Sequence, residues 1–241
     1  MAQPLLHGVS VGYYDRVFHR WLPADRTEVS PDESRYAFFG PTAVGPGDMR
    51  GYVHVVDVAT GRDRTLGSPL DSYRILGFGK DGIYFIYGSH SEMGPTPGAG
   101  LWLMDPDSGS IRQLFKDGWV SAVSDGVAWV MASDQDPHPT SDYPFSEAGP
   151  PNPPVINLLM RRDLTSGSIE TWLHRPGFNL GVSSAYGSQV LVSVEKPGFY
   201  GFLLVTGPSS AVSLNFSGDY SRNPWQATAF NGLGFADQHG I

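Results

Sequence analysis

Tyr52-Val-His-Val-Val-Asp57-Val-Ala-Thr-Gly61-Arg-Asp-Arg-Thr-Leu66 reads as an apolar strand, an Asp-x-x-x-Gly turn and a second, alternating strand. The same frame returns at Leu101-Trp-Leu-Met-Asp105-Pro-Asp-Ser-Gly109-Ser-Ile-Arg-Gln-Leu114. It returns again at Asn157-Leu-Leu-Met-Arg-Arg-Asp163-Leu-Thr-Ser-Gly167-Ser-Ile-Glu-Thr-Trp172. An aspartate carboxylate accepts bonds from turn amides two or more residues on, and glycine takes the positive φ that closes the hairpin. A fourth copy, Phe202 to Phe216, keeps the strands but carries Gly207 and Ala211 at the Asp and Gly positions, a degenerate turn.

Another hairpin precedes each of these. Val29-Ser-Pro-Asp-Glu-Ser-Arg-Tyr36-Ala-Phe-Phe39 places a Pro-Asp turn between two short strands. Its counterparts are Phe78 to Tyr87, Val123 to Met131, Val182 to Val194 and Thr228 to Asp237. Asp81-Gly82, Asp125-Gly126 and Asn231-Gly232 in them are strong hairpin signals. Two hairpins per repeat make four strands. The outer Asp recurs at 57, 105 and 163, spacings of 48 and 58, with Gly207 a further 44 on. A period in the forties with four strands is the size of a propeller blade. A long insertion between Ala132 and Pro154 accounts for the larger spacing.

The expected fold is therefore an all-β propeller of about five four-stranded antiparallel blades, a single domain over 1–241. The blades fall near 27–70, 71–117, 118–177 and 178–220, with a fifth formed by 221–241 and completed by 8–26. Val11 to Leu22 supplies the outer pair of that last blade, with Asp15 and His19 at the Asp-x-x-x-Gly spacing. Strands from both termini would then close the ring and protect its edges. The competing expectation is a truncated part of a six- or seven-bladed ring.

Composition narrows the function classes. Of the 241 residues, 40% are apolar and only 17% charged, and 30 Gly with 20 Pro suit many short strands joined by turns. With 16 basic and 24 acidic residues the net charge is −8, and no basic run occurs, which argues against nucleic acid as a partner. The absence of cysteine removes thiol catalysis, disulfides and cysteine-based zinc sites. Met1 to Ser10 shows no basic region and no long apolar run, so no signal peptide is visible. No stretch reaches the length of a membrane span. The chain reads as soluble, with bacterial export and cytoplasmic residence both open.

Ser30-Pro31-Asp32 before an apolar strand, and the Asp57-x-x-Thr60-Gly61 hairpin, resemble the blade signature of the bacterial TolB-like and related WD-repeat-like propeller superfamily. The resemblance covers nearly the whole chain and lies in turn chemistry. It implies a propeller from a superfamily of scaffolds, periplasmic binding proteins and propeller parts of larger enzymes. It supplies no catalytic motif.

In such a blade the loops joining strands 2 and 3 emerge on one face, together with the connections to the next blade. Here they are Gly40 to Arg50, Gly88 to Gly100, Ala132 to Pro154 and Glu195 to Tyr200. Long loops in a compact domain are commonly functional or disordered. The longest holds Asp134, Asp136, His138, Tyr143 and Phe145, and a neighbouring one holds His90 and Glu92. The acids match no defined Ca²⁺ loop, lacking the glycine and distal glutamate of an EF-hand, so no metal and no cofactor is expected. His-x-Glu suits acid–base work, but seven scattered histidines produce such pairs by chance. Glycosidase chemistry needs two facing carboxyl groups, whereas Glu28 and Asp237 are the clear acids near inner-strand positions. No Gly-x-Ser-x-Gly elbow, phosphate loop or His-Glu-x-x-His motif occurs. Trp102, Trp119, Trp129 and Trp172 fall on repeat strands and read as core. Tyr143, Phe145, Phe199 and Tyr200 lie on the loop face, where aromatics beside acids suit stacking on sugars or docking of a peptide. The expected role is a non-catalytic binding or scaffold propeller engaging a protein or carbohydrate partner through this face. The alternatives are a glycan-acting hydrolase or lyase, and a fragment without separate function.

Overall fold

The computed structural model describes residues 13–17, 19–41, 50–71, 73–91, 94–140 and 155–214. The described residues are all-β, with one 3-10 turn at Arg26–Glu28 and no α-helix. The chain divides into two compact units, Met1–Lys116 and Asp117–Ile241. Every strand pairing is antiparallel, and the larger sheets are meanders of the kind that form propeller blades.

In the first unit, β1 (Tyr13–Asp15) and β2 (Arg20–Leu22) form a hairpin. Next come β3 (Arg35–Pro41), β4 (Arg50–Asp57) and β5 (Asp63–Asp71), a three-stranded sheet. The third sheet runs β6 (Tyr73–Gly79), β7 (Gly82–Ser91), β9 (Leu101–Met104), β10 (Ile111–Phe115), with β8 (Gly94–Pro97) folded back on the end of β7. The second unit holds two four-stranded blades. One is β11 (Trp119–Ser124), β12 (Val127–Ala132), β13 (Leu158–Asp163) and β14 (Ile169–His174). The other is β15 (Asn179–Tyr186), β16 (Gln189–Lys196), β17 (Phe199–Gly207) and β18 (Ser210–Leu214).

The outer-hairpin turn is built alike three times. Gly61, Gly109 and Gly167 donate their amides to the carbonyls of Asp57, Asp105 and Asp163 at 2.8, 2.9 and 2.9 Å. Each aspartate Oδ1 also accepts from the amide three residues on: Thr60 at 2.8 Å, Ser108 at 2.6 Å and Ser166 at 2.7 Å. The glycines hold φ between 70 and 74°, a region that costs other L-residues strain. At Gly109 a side chain is excluded for a second reason, since a Cβ there would lie 2.9 Å from the backbone nitrogen of Gly67 in the adjoining sheet. Asp107, in the same turn, is gripped by Arg35 at 2.9 Å, while Arg64 donates to the Pro106 carbonyl at 2.6 Å. The turn thus ties two sheets of the first unit together.

The β1–β2 turn follows the expected spacing: Asp15 Oδ1 accepts from Val17 N–H at 2.8 Å, and His19 takes the glycine's place at φ 50°. Two expectations are corrected. The strand before the Pro-Asp turn shrinks to a single bridge, Val29 to Tyr36, because Ser30 spends its hydroxyl and amide closing the turn on Arg35 and Asp32. The fourth outer hairpin is a two-residue turn, Pro208-Ser209, between Gly207 and Ser210 rather than a degenerate copy of the Asp turn. Residues 221–241, assigned to the closing blade, lie outside the described residues, as does Asp237.

Burial follows the pleat. In β12 all six residues are buried, so that strand is covered on both faces, and Trp129, fully buried, meets Trp172 edge-on at 4.8 Å. Trp119 and Trp172 are buried, and Trp102 packs against the core of the first unit, as their strand positions required. A register shift recurs in the first strand of three sheets, at Ile75/Gly77, Val120/Ala122 and Val182/Ser184. Such bulges bend a strand and raise its local twist.

Two predictions follow from the turns. Ser209 sits at φ 55° after Pro208, the place a type II turn reserves for glycine. Ser209→Gly is expected to stabilise the chain by roughly 1 kcal/mol in urea unfolding, and a loss of stability would contradict that geometry. Asp32 is held down to about 2 from 3.8, first by the Ser30 hydroxyl and then by the hydroxyl and amide of Ser34. A carboxyl lowered on folding lends stability above its unfolded value and loses it as pH falls through the folded one. Asp32→Asn should therefore flatten the fall of melting temperature between about pH 4 and 2, and an unchanged acid limb would contradict it.

Candidate functional site

The second unit gathers its chemistry where the β12–β13 connection, the β14–β15 connection and the β16–β17 hairpin meet. The organiser is Asn157, a buried polar residue just before β13. Its amide donates to the Ala132 carbonyl at 3.1 Å, and its carbonyl accepts from Arg175 N–H at 3.0 Å. Its side-chain Oδ1 accepts from Asp134 N–H at 2.9 Å. One residue thereby fastens the start of the β12–β13 connection to the end of β14. Asn179 repeats the device one blade on. Its Oδ1 accepts from Ile156 N–H at 3.1 Å, beside the 2.6 Å bond from Leu180 N–H to the Ile156 carbonyl.

Asp134 and His138, both expected on the loop face, are exposed and paired. Asp134 Oδ2 lies 3.2 Å from His174 Nε2, and side-chain bonds from Asn157 and then His174 hold its carboxyl below the usual range. His138 Nδ1 lies 3.0 Å from Asp117 Oδ2, whose other oxygen takes Arg162 Nη1 at 2.9 Å. Burial works against the charge on Asp117, but Arg162 and His138 outweigh it and keep its carboxyl low. Asp136 caps the tight turn from Ser133 through its own amide, at 3.1 Å, and is exposed.

Phe199 and Tyr200 do not lie in a loop. Residues 195–200 form two paired strands, with Glu195 opposite Tyr200 and Lys196 opposite Phe199 across a two-residue Pro197-Gly198 turn. Gly198, at φ 76°, permits that turn. Phe199 remains 47% exposed and meets Phe178 edge-on, 5.7 Å between centroids and 85° between planes. The Lys196 ammonium lies over the Phe178 ring, 4.6 Å from its centroid. Tyr200 turns against Phe202 at 5.3 Å, and burial, with Glu195 adding to it, pushes its phenol upward against a bond from Ser193.

The remaining expected residues divide otherwise. His90 belongs to the first unit, on β7 rather than in an irregular loop, because Gly88 to Ser91 pairs with Gly94–Pro97 and sets His90 opposite Pro95. Glu92, Tyr143 and Phe145 lie outside the described residues. Glu28 closes the 3-10 turn, where burial pushes its carboxyl up to about 7; the Asp25 amide pulls it down and the Asp25 charge pushes it up. Among the described residues no group of three or more His, Asp or Glu is placed to hold a metal, and no helix is long and apolar enough to cross a membrane. Sequence reasoning missed Asn157, Asn179, Phe178, Lys196 and His174. Phe178 alone carried a signal, as an aromatic in a Pro-Gly-bearing connection on the same face.

No protein-family profile matches the chain, and no curated protein matches it. Among solved structures it is similar to TolB from Acinetobacter baumannii, at 16% identity and TM-score 0.48 over 77% of this chain and 42% of that one. It is also similar to a variant of an apocarotenoid oxygenase from Synechocystis, at 11% identity and TM-score 0.40 over 75% of this chain and 47% of that one. The likeness to TolB is one of fold. The chain spans less than half the length of either solved chain.

Removing the Asn157 side chain deletes a buried acceptor and unfastens Asp134. Asn157→Ala should cost about 1–2 kcal/mol in urea unfolding. A change within about 0.5 kcal/mol, the range of ordinary surface substitutions, would contradict the organising role.

Proposed function

We propose that the chain is a non-catalytic binding or scaffold propeller that engages a protein or carbohydrate partner through the loop end of its second unit. The observation that supports this reading is the exposed Phe199 ring held edge-on to Phe178 beside Lys196, in the same unit as Asp134 and Arg175, whose backbone amides are held by Asn157. An aromatic anchor on a rigid turn loses little conformational freedom on binding, and preorganisation of this kind raises affinity. Asp134 and Asp117 are each engaged with histidine, and Asp117 also with Arg162, which suits fixed charges that orient a partner. Phe199, Tyr200, Asp134, Asp136 and His138 are the contact residues of this reading.

The test is a thermal melt of the chain against a panel of glycans and peptides. A ligand that binds only the folded state raises the melting temperature, by the equivalent of about 2.7 kcal/mol at a hundred times its Kd. We expect one panel class to do so, with the shift reduced by Phe199→Ala. A shift unchanged in Phe199→Ala moves the site elsewhere, and cleavage of a glycan during the titration replaces the binding reading with an enzymatic one.

A further inference from the structure

Phe178 and Phe199 make a right-angled aromatic corner, and a cation already lies over the Phe178 ring of it. Lys196 Nζ lies 4.6 Å from the Phe178 centroid, inside the roughly 6 Å within which a ring quadrupole attracts a positive charge. That lysine comes from the strand paired with Phe199, two residues across the turn, so the chain fills its own corner by a short local reach. Lysine is strongly hydrated and its stem flexible, and on an exposed hairpin such a contact is weak. A second cation presented in the same geometry can take its place.

We propose that this corner receives a lysine or arginine side chain of a protein partner, displacing Lys196 from the face of Phe178. The inference rests on the binding reading above and names the partner's chemistry. Charge complementarity favours a basic segment: the chain carries −8, and the Asp134 carboxyl, across the Asn157 clasp, is held below its usual range. Glu195, paired with Tyr200, faces away from Lys196. Arg175 and His174 in the β14–β15 connection work against a cation locally, and the net charge steers the encounter in its favour. Lys196 then acts as an internal competitor that lowers the affinity of weak cations.

The test titrates the full chain, at low ionic strength, into a fluorescent acetyl-tetralysine amide followed by anisotropy. An acetyl-tetraglutamate amide and a neutral chitotetraose serve as comparison probes. Phe178→Leu and Phe199→Leu keep the charge and an apolar side chain while removing the ring, and each should weaken tetralysine binding about two- to five-fold. Lys196→Gln should tighten it over the same range, beyond any gain in Lys80→Gln, which changes net charge equally at an exposed residue of the first unit. Equal binding by parent and Phe178→Leu, or a Lys196→Gln gain no larger than that of Lys80→Gln, overturns the inference. If a leucine variant melts abnormally, the two glutamine variants decide. Binding of chitotetraose or tetraglutamate without tetralysine refutes the cation corner and leaves the binding reading standing, whereas no binding by any probe counts against both.

Discussion

Three of the outer hairpins hang on one contact, the aspartate carboxylate that caps its own turn, while the β17–β18 hairpin closes on Pro208-Ser209 instead. At Asp57, Asp105 and Asp163 the same oxygen gathers the amide and the hydroxyl of the residue three positions on. The turn fixes which residues of the outer strands face each other, and a slip of one residue would send every side chain to the wrong face. These carboxyls are held below their ordinary range, first by the Thr60 hydroxyl at Asp57 and by the amides of Ser108 and Ser166 at the other two. The pattern is therefore electrostatic at its corners and hydrophobic between them, with β12 buried on both faces at its densest point.

The opposite ends of the strands are fastened differently. There Asn157 and Asn179 replace the local turn with bonds that cross from one connection to another. Asn157 is buried while Asn179 is exposed, so the geometry is specified most strongly at Asn157, where leaving the Oδ1 acceptor unpaired would be expensive. On this surface Asp134 is paired with His174 and Phe178 with Phe199.

Legibility in the sequence tracked locality. The Asp-x-x-x-Gly turns were readable because every participant lies within five residues, and even His19 in the glycine position was visible from spacing alone. Ser30-Pro31-Asp32 was readable as a turn but not as the end of a strand, because Ser30 closes the turn with atoms that would otherwise extend the ladder. Phe199 and Tyr200 read from sequence as loop residues although Pro197-Gly198 is a two-residue turn signal, because the flanking Glu195 and Lys196 mask the strands with charge. Gly88 to Gly100 looked irregular from its glycines and prolines, yet Gly94–Pro97 adds a strand to β7. The bulges in β6, β11 and β15, and the clasps of Asn157 and Asn179, depend on residues more than twenty positions apart or on packing, and no local pattern announces them. At the site, acids and aromatics were foreseeable by position in the repeat, whereas their partners were not.

A preformed surface requires the loop end of the second unit to be ordered in the free chain. Amide hydrogen exchange of the unliganded protein reads this directly, at Asp134, Ile156, Arg175 and Leu180, whose N–H groups make the clasping bonds. Protection at these four amides comparable to that at Gly167 is the predicted result. Exchange at the rate of an unfolded chain there, with Gly167 still protected, would contradict a preformed surface and leave only the blades.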